Sequence, residues 1–536
     1  MATDRLAGHA RLEVVARQHV PSSRLISRNP ATGEVLGEVP FATQSDVHQA
    51  VERARAAQPG WAATHVRERV AIFKKFQRLL TDHKAAVATL ITREAGKPYV
   101  EALSTEVLVA LDAARFCAET AFSFLRDEPL SHGNLMVKAK RGRLVREPHG
   151  VIGIISPWNY PFSIPATETL AALVTGNAVV LKPSELTPLV ALELQSLLHE
   201  AGVPKDIFQV VVGEGPTGAA LLSSSIDKLV FTGSVPTGKR VAEAAAKRLL
   251  PVVLELGGKD AMLVLNDAHL EIAASAAVWG AFMNAGQTCL SVERCYVHRA
   301  LYDKFLALVV AKAKRLRVGN GLDPNTDVGP LINDRQLQVV ESQIEEAKAQ
   351  GAKVLAGGMR LPEVGPTFYT PTVITNVDHS MRLMREETFG PVLPVMPFET
   401  DEEALRLAND SEFALAASIW TKNRKHGERL ARQIDAGTVM INDVLTCFGI
   451  SEAPHGGFKA SGIGLTHGRF GLDEMVRIKY VDNELVPGLA KPWWYPYGPE
   501  CAPQVEGAIE FLFGRALGKR IRGGLRAASG LLRNRT

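Results

Sequence analysis

Apolar and polar positions change rhythm several times along this chain. From Asp46 to about Leu125 apolar residues recur three and four apart, as in Val70, Phe73, Phe76, Leu79 and Leu80, the spacing of a helix face. EAGKP (94–98) breaks that pattern between two helices. Ahead of it, SRNPATGEVLGEVPFAT (27–43) sets the turn pairs Asn29-Pro30 and Thr32-Gly33 beside short alternating runs, which predicts a hairpin. Residues 1 to about 23 carry no pattern and read as an arm. Alternation returns over 131–147, SHGNLMVKAKRGRLVRE, a basic stretch with Gly142 near its middle, and predicts a two-strand ribbon.

Five short apolar runs then alternate with helical segments. The runs are Val151–Ile155, Ala178–Leu181, Phe208–Val212, Lys228–Phe231 and Pro251–Leu254; helical spacing fills about 165–174, 187–201, 215–222 and 235–249. Such interleaving predicts βαβ units and a parallel sheet. Ligands bind these sheets beyond the carboxyl ends of the strands. PWNYP (157–161), KPSE (182–185), FTGS (231–234) and ELGG (255–258) stand at those ends. A second α/β block runs from about Lys259 to Ser461, with strands at Ala261–Leu265, Pro371–Ile374 and Thr438–Ile441 and charged helices near 301–316 and 333–350. GFKASGIG (457–464) is a glycine-rich return, and LDEMVRIKYVD (472–482) reads as a last strand.

Composition narrows the class. The 536 residues are 46% hydrophobic and 22% charged, an ordinary globular chain with room for two or three domains. A net charge of +4 argues against a dedicated nucleic-acid binder. Five scattered cysteines, Cys117, Cys289, Cys295, Cys447 and Cys501, include no CxxC pair, which fits a reducing compartment without a disulfide framework. No HExxH or paired Cys/His set appears, so no metal is expected. The N-terminus lacks a signal-peptide core and no apolar run reaches the roughly 18 residues of a membrane span, so the expected location is cytoplasmic.

Two residues draw attention chemically. Glu255 closes an apolar run and precedes Gly257 and Gly258; a carboxylate at a buried strand end has a raised pKa, which suits a general base. Cys289 follows Gly286, Gln287 and Thr288 in a loop after an Ala-rich helical pattern, 273–285, and is a candidate nucleophile. Taken singly, each has a plainer reading, a capped carboxylate and a small core residue. FTGSVPTGKR (231–240) follows a strand and opens a helix, so its amides face an anion. It nearly matches a P-loop, but Arg240 replaces the Ser/Thr that binds Mg²⁺. A dinucleotide pyrophosphate, or an ordinary Gly-rich turn, fits the same residues.

The wording of LELGGK (254–259) followed by GQTC (286–289) resembles the aldehyde dehydrogenase superfamily, and the likeness extends over roughly 25–485. The resemblance implies an α/β fold with a Rossmann-like coenzyme domain (24–130 and 148–256), an α/β catalytic domain (257–470) and a β-ribbon oligomerisation element (131–147 and 471–485), between an arm (1–23) and a C-terminal tail (486–536). It implies Cys289 as the nucleophile, Glu255 as the base that activates water, and Asn159 of PWNYP as an oxyanion donor beside the Cys289 amide. For the coenzyme it implies Pro157 and Trp158, Lys182 and Glu185 at the adenosine ribose, Gly233 and Ser234 at the coenzyme turn, and Glu387 and Phe389 of EETFGP (386–391) at the nicotinamide ribose. Glu185 favours NAD over NADP, while family members with this Glu use either. Thr466 stands where some members have a Glu suggested to relay protons, and Cys295 is not a catalytic position; neither is given a role. The ribbon and the strand near 472–482 are expected to pair across subunits of a homodimer or homotetramer. Two readings of other classes, a nucleotide hydrolase and a non-catalytic structural use of the fold, are opposed by Arg240 and by the intact Cys289, Glu255 and Asn159.

Substrate identity rests on the loops near Phe162, Leu290 and 443–455, where Cys447 and Phe448 suggest an apolar wall. An apolar aliphatic or aromatic aldehyde is expected, with succinate semialdehyde as the alternative. The tail points the same way. PWWYPYGP (492–499) is aromatic, and 505–535 shows helical spacing. Ile509, Leu512, Phe513, Leu517, Ile521, Leu525 and Leu532 share a broad apolar face opposite Arg515, Lys519, Arg522, Arg526 and Arg533. That pattern fits a helix lying on an anionic membrane surface, on the inner face of a membrane, or one docked on a neighbouring subunit, with a disordered basic tail as the further alternative.

Overall fold

The computed structural model describes residues 24–134, 137, 138, 140–488, 491 and 494–533. The expected arm, 1–23, lies outside them, as do Leu135, Met136 and Ala139 of the ribbon, Pro492 and Trp493 of the aromatic stretch, and 534–536. The chain divides into two units. One is the chain up to Ala121 with His149–Met475; the other is Phe122–Pro148 with the chain from Val476 onward.

In the first unit, Arg24–Arg28 and Val35–Pro40 form the expected antiparallel hairpin. Helix Gln44–Ala63 opens on a capping box between Thr43 and Asp46. Helix Val66–Ala95 stops where EAGKP predicts, because Gly96 takes the left-handed cap (φ 83°) and Pro98 heads the next turn. A π-helical turn, Ala102–Val107, follows. Its Glu106 accepts the amides of Phe162 and Ser163 at 3.0 and 2.8 Å. It thereby caps helix Ser163–Val174, whose own N-cap residue supplies no side-chain bond.

Five strands run parallel in the order Val252–Glu255, Lys228–Thr232, Val151–Ile155, Ala178–Lys182, Phe208–Val210. Gly462–Ile463, from the glycine-rich return, adds to the Val252–Glu255 edge antiparallel. Every residue of Ala178–Lys182 is buried, as expected of a sheet covered on both faces. A second sheet of seven strands has Val392–Phe398, Val292–His298 and Asp260–Val264 at its middle, and only Lys353–Ala356, at one end, runs antiparallel.

Several expectations are corrected in the ribbon, the last strand and the tail. Residues 131–147 do not form a hairpin turning at Gly142. Lys140–Pro148 is one strand, flanked by Glu128–Leu130 and Val476–Glu484 in a three-stranded antiparallel sheet. The ring of Tyr480 packs over Gly142, 2.6 Å from where a Cβ would sit, so this glycine serves a cross-strand contact. The pairing expected across subunits is thus made within one chain. The last strand also starts later than expected, since Gly468–Glu474 is helical. The tail is two helices, Cys501–Phe513 and Leu517–Arg533, instead of one. They contact through Gly507 and Gly523: a Cβ on Gly523 would lie 2.6 Å from the Gly507 carbonyl oxygen.

Candidate active site

Strand register aligns the motif-bearing ends. Ile155 stands opposite both Lys182 and Phe231, and Thr232 opposite Glu255. PWN, KPSE, TGS and ELGG therefore leave the sheet along one edge, where ligands bind parallel sheets.

The Cys289 loop is held in place by polar contacts. Helix Leu270–Phe282 gives way to a short turn in which Asn284, Ala285 and Gly286 all have positive φ, 51°, 55° and 71°. Only glycine fits at 286, because a Cβ there would strike the Gly390 carbonyl. Asn284 donates to the carbonyls of Asn159 and Gln287, both at 3.1 Å, and its amide donates to Glu101 at 2.9 Å. The Gln287 side chain bonds the Asn284 and Pro330 carbonyls and the Ile332 amide. Thr288 Oγ1 meets Tyr160 OH at 2.7 Å. Asn159 is buried, and its Nδ2 donates to the Gln287 carbonyl at 3.1 Å, two residues before Cys289. Its own carbonyl receives the buried Lys97 ammonium at 2.7 Å. On the other side, Gly258 abuts the Cys289 carbonyl so closely that no Cβ fits between them.

Glu255 ends its strand buried, and neither carboxylate oxygen has a hydrogen-bond partner among the described residues. Burial, then the nearby Glu168 charge, pushes its carboxyl well above the usual range. His455 Nε2 lies 3.8 Å from Glu255 Oε2, but burial lowers this imidazole to about 4, so it is neutral near pH 7. Glu255 and Cys289 line one small cavity of about 20 Å³ with Glu168, His455, Thr466 and His467. Glu168 accepts from Thr232 at 3.0 Å, and burial raises it to about 8. Burial, with the charges of Asp260, Glu387 and Glu255, likewise raises the Cys289 thiol.

The crevice fits a nicotinamide dinucleotide in several respects. Ser234 occupies the N-cap of helix Val235–Ala246 without bonding its amides; its Oγ meets Thr237 Oγ1 at 3.1 Å instead. The first-turn donors are thus left for an anion. Lys182 Nζ lies 3.4 Å from Glu185 at the rim. Trp158 and Phe389 meet edge to face at 5.4 Å between ring centroids. Glu387 accepts the Gly258 amide at 3.0 Å, and burial raises its carboxyl to about 8. Phe389 holds a left-handed backbone (φ 53°) because Glu293 grips the amides of Thr388 and Phe389 at 2.7 and 2.9 Å. Among the described residues, no group of three or more His, Cys, Asp or Glu is placed to hold a metal.

A larger cavity of about 430 Å³ leads to Cys289. Its walls include Val109, Tyr160, Ile164, Trp279, Leu290, Leu445, Phe448 and Ile450. Leu290 and the 445–450 turn line it as expected; Phe162 is fully buried, and neither it nor Cys447 belongs to the wall. Sequence reasoning missed Lys97, Glu106, Glu168, His455 and His467. Glu168 alone left a signal, as the one charged residue of an otherwise apolar and small-residue helix.

The sequence profile of the aldehyde dehydrogenase family matches residues 18–481. A 4,4'-diapolycopene aldehyde oxidase of Methylomonas is 40% identical over 489 residues, 91% of each chain. A putative NADP⁺ succinate-semialdehyde dehydrogenase of Mycolicibacterium smegmatis is 40% identical over 456 residues, 85% of this chain and 87% of its own. An NAD⁺ complex of an aldehyde dehydrogenase from Bacillus cereus superposes with a TM-score of 0.83 at 38% identity, covering 86% of this chain and 93% of the other.

Proposed function

The chain belongs to the aldehyde dehydrogenase family and is an NAD(P)-dependent aldehyde dehydrogenase; on that premise we propose that it oxidises apolar aldehydes, aliphatic or aromatic, to carboxylic acids. The lining of the cavity over Cys289 carries this reading. None of the residues that line it bears a charge. A carboxylate on the substrate would be buried there without a cation, at a cost of several kcal/mol. This weighs against succinate semialdehyde, for which several relatives are named. The test is a panel of aldehydes of graded polarity with both coenzymes. Apolar members should have the highest kcat/KM, and a preference for succinate semialdehyde would overturn the reading.

In this mechanism the Cys289 thiolate attacks the carbonyl carbon, a C–S bond forms, and the Asn159 amide stabilises the oxyanion. NAD(P), when bound, would supply the hydride acceptor, and loss of hydride from the hemithioacetal carbon would leave a thioester on Cys289. Glu255 then takes a proton from water, and the water oxygen attacks the thioester carbon. The C–S bond breaks, the thiolate returns, and the carboxylate leaves. Lys182 and Glu185 would hold the adenosine ribose, with Glu185 favouring NAD by repelling a 2′-phosphate. Gly233 and Ser234 would face the pyrophosphate. Pro157, Trp158, Glu387 and Phe389 would border the nicotinamide end. The five-stranded parallel sheet and its helices (24–130, 148–256) serve as the coenzyme domain, and 257–470 as the catalytic domain.

Self-association is supported by the Val476–Glu484 strand, whose outer edge pairs with no strand among the described residues and which exposes Ile478 and Tyr480. A homodimer or homotetramer joined through that edge follows. The tail hairpin exposes Ile509, Phe513, Leu517, Ile521 and Leu525 together with Arg515, Lys519, Arg522 and Arg526. This combination supports docking on an anionic bilayer surface, where lipophilic aldehydes reside. No helix among the described residues is long and apolar enough to cross a membrane.

A further inference from the structure

The apolar path does not end with the cavity over Cys289. A second hollow of about 410 Å³ abuts it, and the two share Ser104, Trp279 and Met283. One face of helix Leu270–Phe282 forms its main wall. Ser275 lies three and four residues before Val278 and Trp279, which lie four and three before Phe282, so the four share one side. Leu316 and Val328 add apolar surface. Trp279 stands at the junction and is 44% exposed, a large ring left uncovered on an otherwise apolar helix. The π-helical turn supplies Ser104 to both hollows, and such turns recur at functional sites.

The charges in the second hollow are already satisfied. Lys312 pairs with Glu271 at 2.5 Å, Asp327 with Arg317 at 2.9 Å, and Glu101 accepts the Asn284 amide. None of the three is left to recruit an oppositely charged group. Each hollow alone is within the range of small-molecule sites, about 300–1,000 Å³.

We propose that the second hollow is a distal subsite for long, unbranched apolar aldehydes, whose carbonyl lies at Cys289 while the chain passes Trp279 and Met283. The proposal rests on the apolar-substrate reading above and extends it to chain length. The occupant is the substrate's own far end, because the hollow adjoins the catalytic cavity and shares Ser104, Trp279 and Met283 with it.

The test uses the full chain and saturated straight-chain aldehydes of increasing length, with kcat/KM read from reduced coenzyme. Wild-type kcat/KM should climb as the first cavity fills, then climb again by about fourfold per methylene once the chain passes Trp279. Ser275→Trp, on an exposed position of the wall, and Leu316→Glu should each abolish the second climb and leave short aldehydes within twofold of wild type. A single plateau in wild type, or equal losses for short and long aldehydes in both variants, would overturn the subsite. If no straight-chain aldehyde is oxidised while succinate semialdehyde is, the apolar reading itself falls, a result distinct from the plateau.

Discussion

Lys97 donates to the Asn159 carbonyl at 2.7 Å and to Glu106 at 2.7 Å, and neither the lysine nor the glutamate side chain is accessible. One buried cation therefore ties the residue proposed as oxyanion donor to the carboxylate that caps the neighbouring helix. Lys97 also sits 3.8 Å over the Tyr160 ring, whose hydroxyl touches Thr288. The nucleophile loop and the oxyanion donor share this support.

Replacing Lys97 by Met strands Glu106 as an unpaired buried charge. The loss should be about 3–5 kcal/mol, seen as a lower midpoint in chemical denaturation. Adding Glu106→Gln should recover part of it, because the stranded charge is gone and the amide oxygen still accepts the helix amides.

Cys289→Ser should lower aldehyde-dependent formation of reduced coenzyme by at least about 10³-fold. Coenzyme binding, followed by calorimetry, should persist, because the proposed coenzyme contacts lie at other residues. Full activity in this variant would remove Cys289 as nucleophile.

Glu255→Gln should leave a burst of reduced coenzyme but cut steady-state turnover by about 10²–10⁴-fold. In the wild type both Cys289 and Glu255 have raised pKa values and act deprotonated. Their active forms gain population as pH rises, so kcat/KM, through Cys289, and kcat, through Glu255, should both increase from neutral towards alkaline pH. A flat profile across that range would count against both assignments.

Glu168 gives the protein a pH-dependent stability. Its carboxyl moves from an ordinary 4.5 to about 8 on burial, so between these values the folded chain keeps a proton that the unfolded chain has lost. Unfolding then releases a proton, and stability falls as pH rises through this window before levelling off above it. Glu168→Gln should flatten that fall. Its Tm, relative to wild type, should be higher at pH 8.5 than at pH 5, as read by calorimetry.

Truncation after Gly488 removes the helical hairpin and should abolish co-sedimentation with anionic liposomes while preserving activity on short soluble aldehydes. Binding by the full chain should weaken with salt, since the arginines and lysine contribute through charge. Equal sedimentation of both forms would discard the membrane reading.

How much of this was legible in the sequence varies with the kind of signal. The strands at Val151–Ile155 and Ala178–Lys182 are continuous apolar runs bounded by turns, so they read directly. EAGKP marked a helix break because Gly96 and Pro98 act locally. Lys97 between them gives no local signal of its own, and the approach of Glu106 and of Asn159, far along the chain, makes it a buried support. His455 and His467 were silent for the same reason: topology brings them to Glu255. At Gly142 a real local signal misled, since a glycine in an alternating run marks a turn unless an aromatic neighbour covers it. In the tail, Gly507 and Gly523 fall inside the helical spacing of 505–535, where a glycine reads only as a weak helix former. Their value is close approach, which folds one expected helix into two.

The contact between Gly258 and the Cys289 carbonyl has a further consequence, for motion. Gly258 also gives its amide to Glu387, and Gly257 beside it would meet the same carboxylate with any Cβ. The strand that ends in Glu255, the nucleophile loop and the 386–391 segment converge on two residues without side chains. Rotamer hopping has no purchase there, and no loose group lies between the three segments. They move as one hub, so hydrogen exchange at these amides should proceed only through global opening, and heat should end catalysis together with the fold instead of before it.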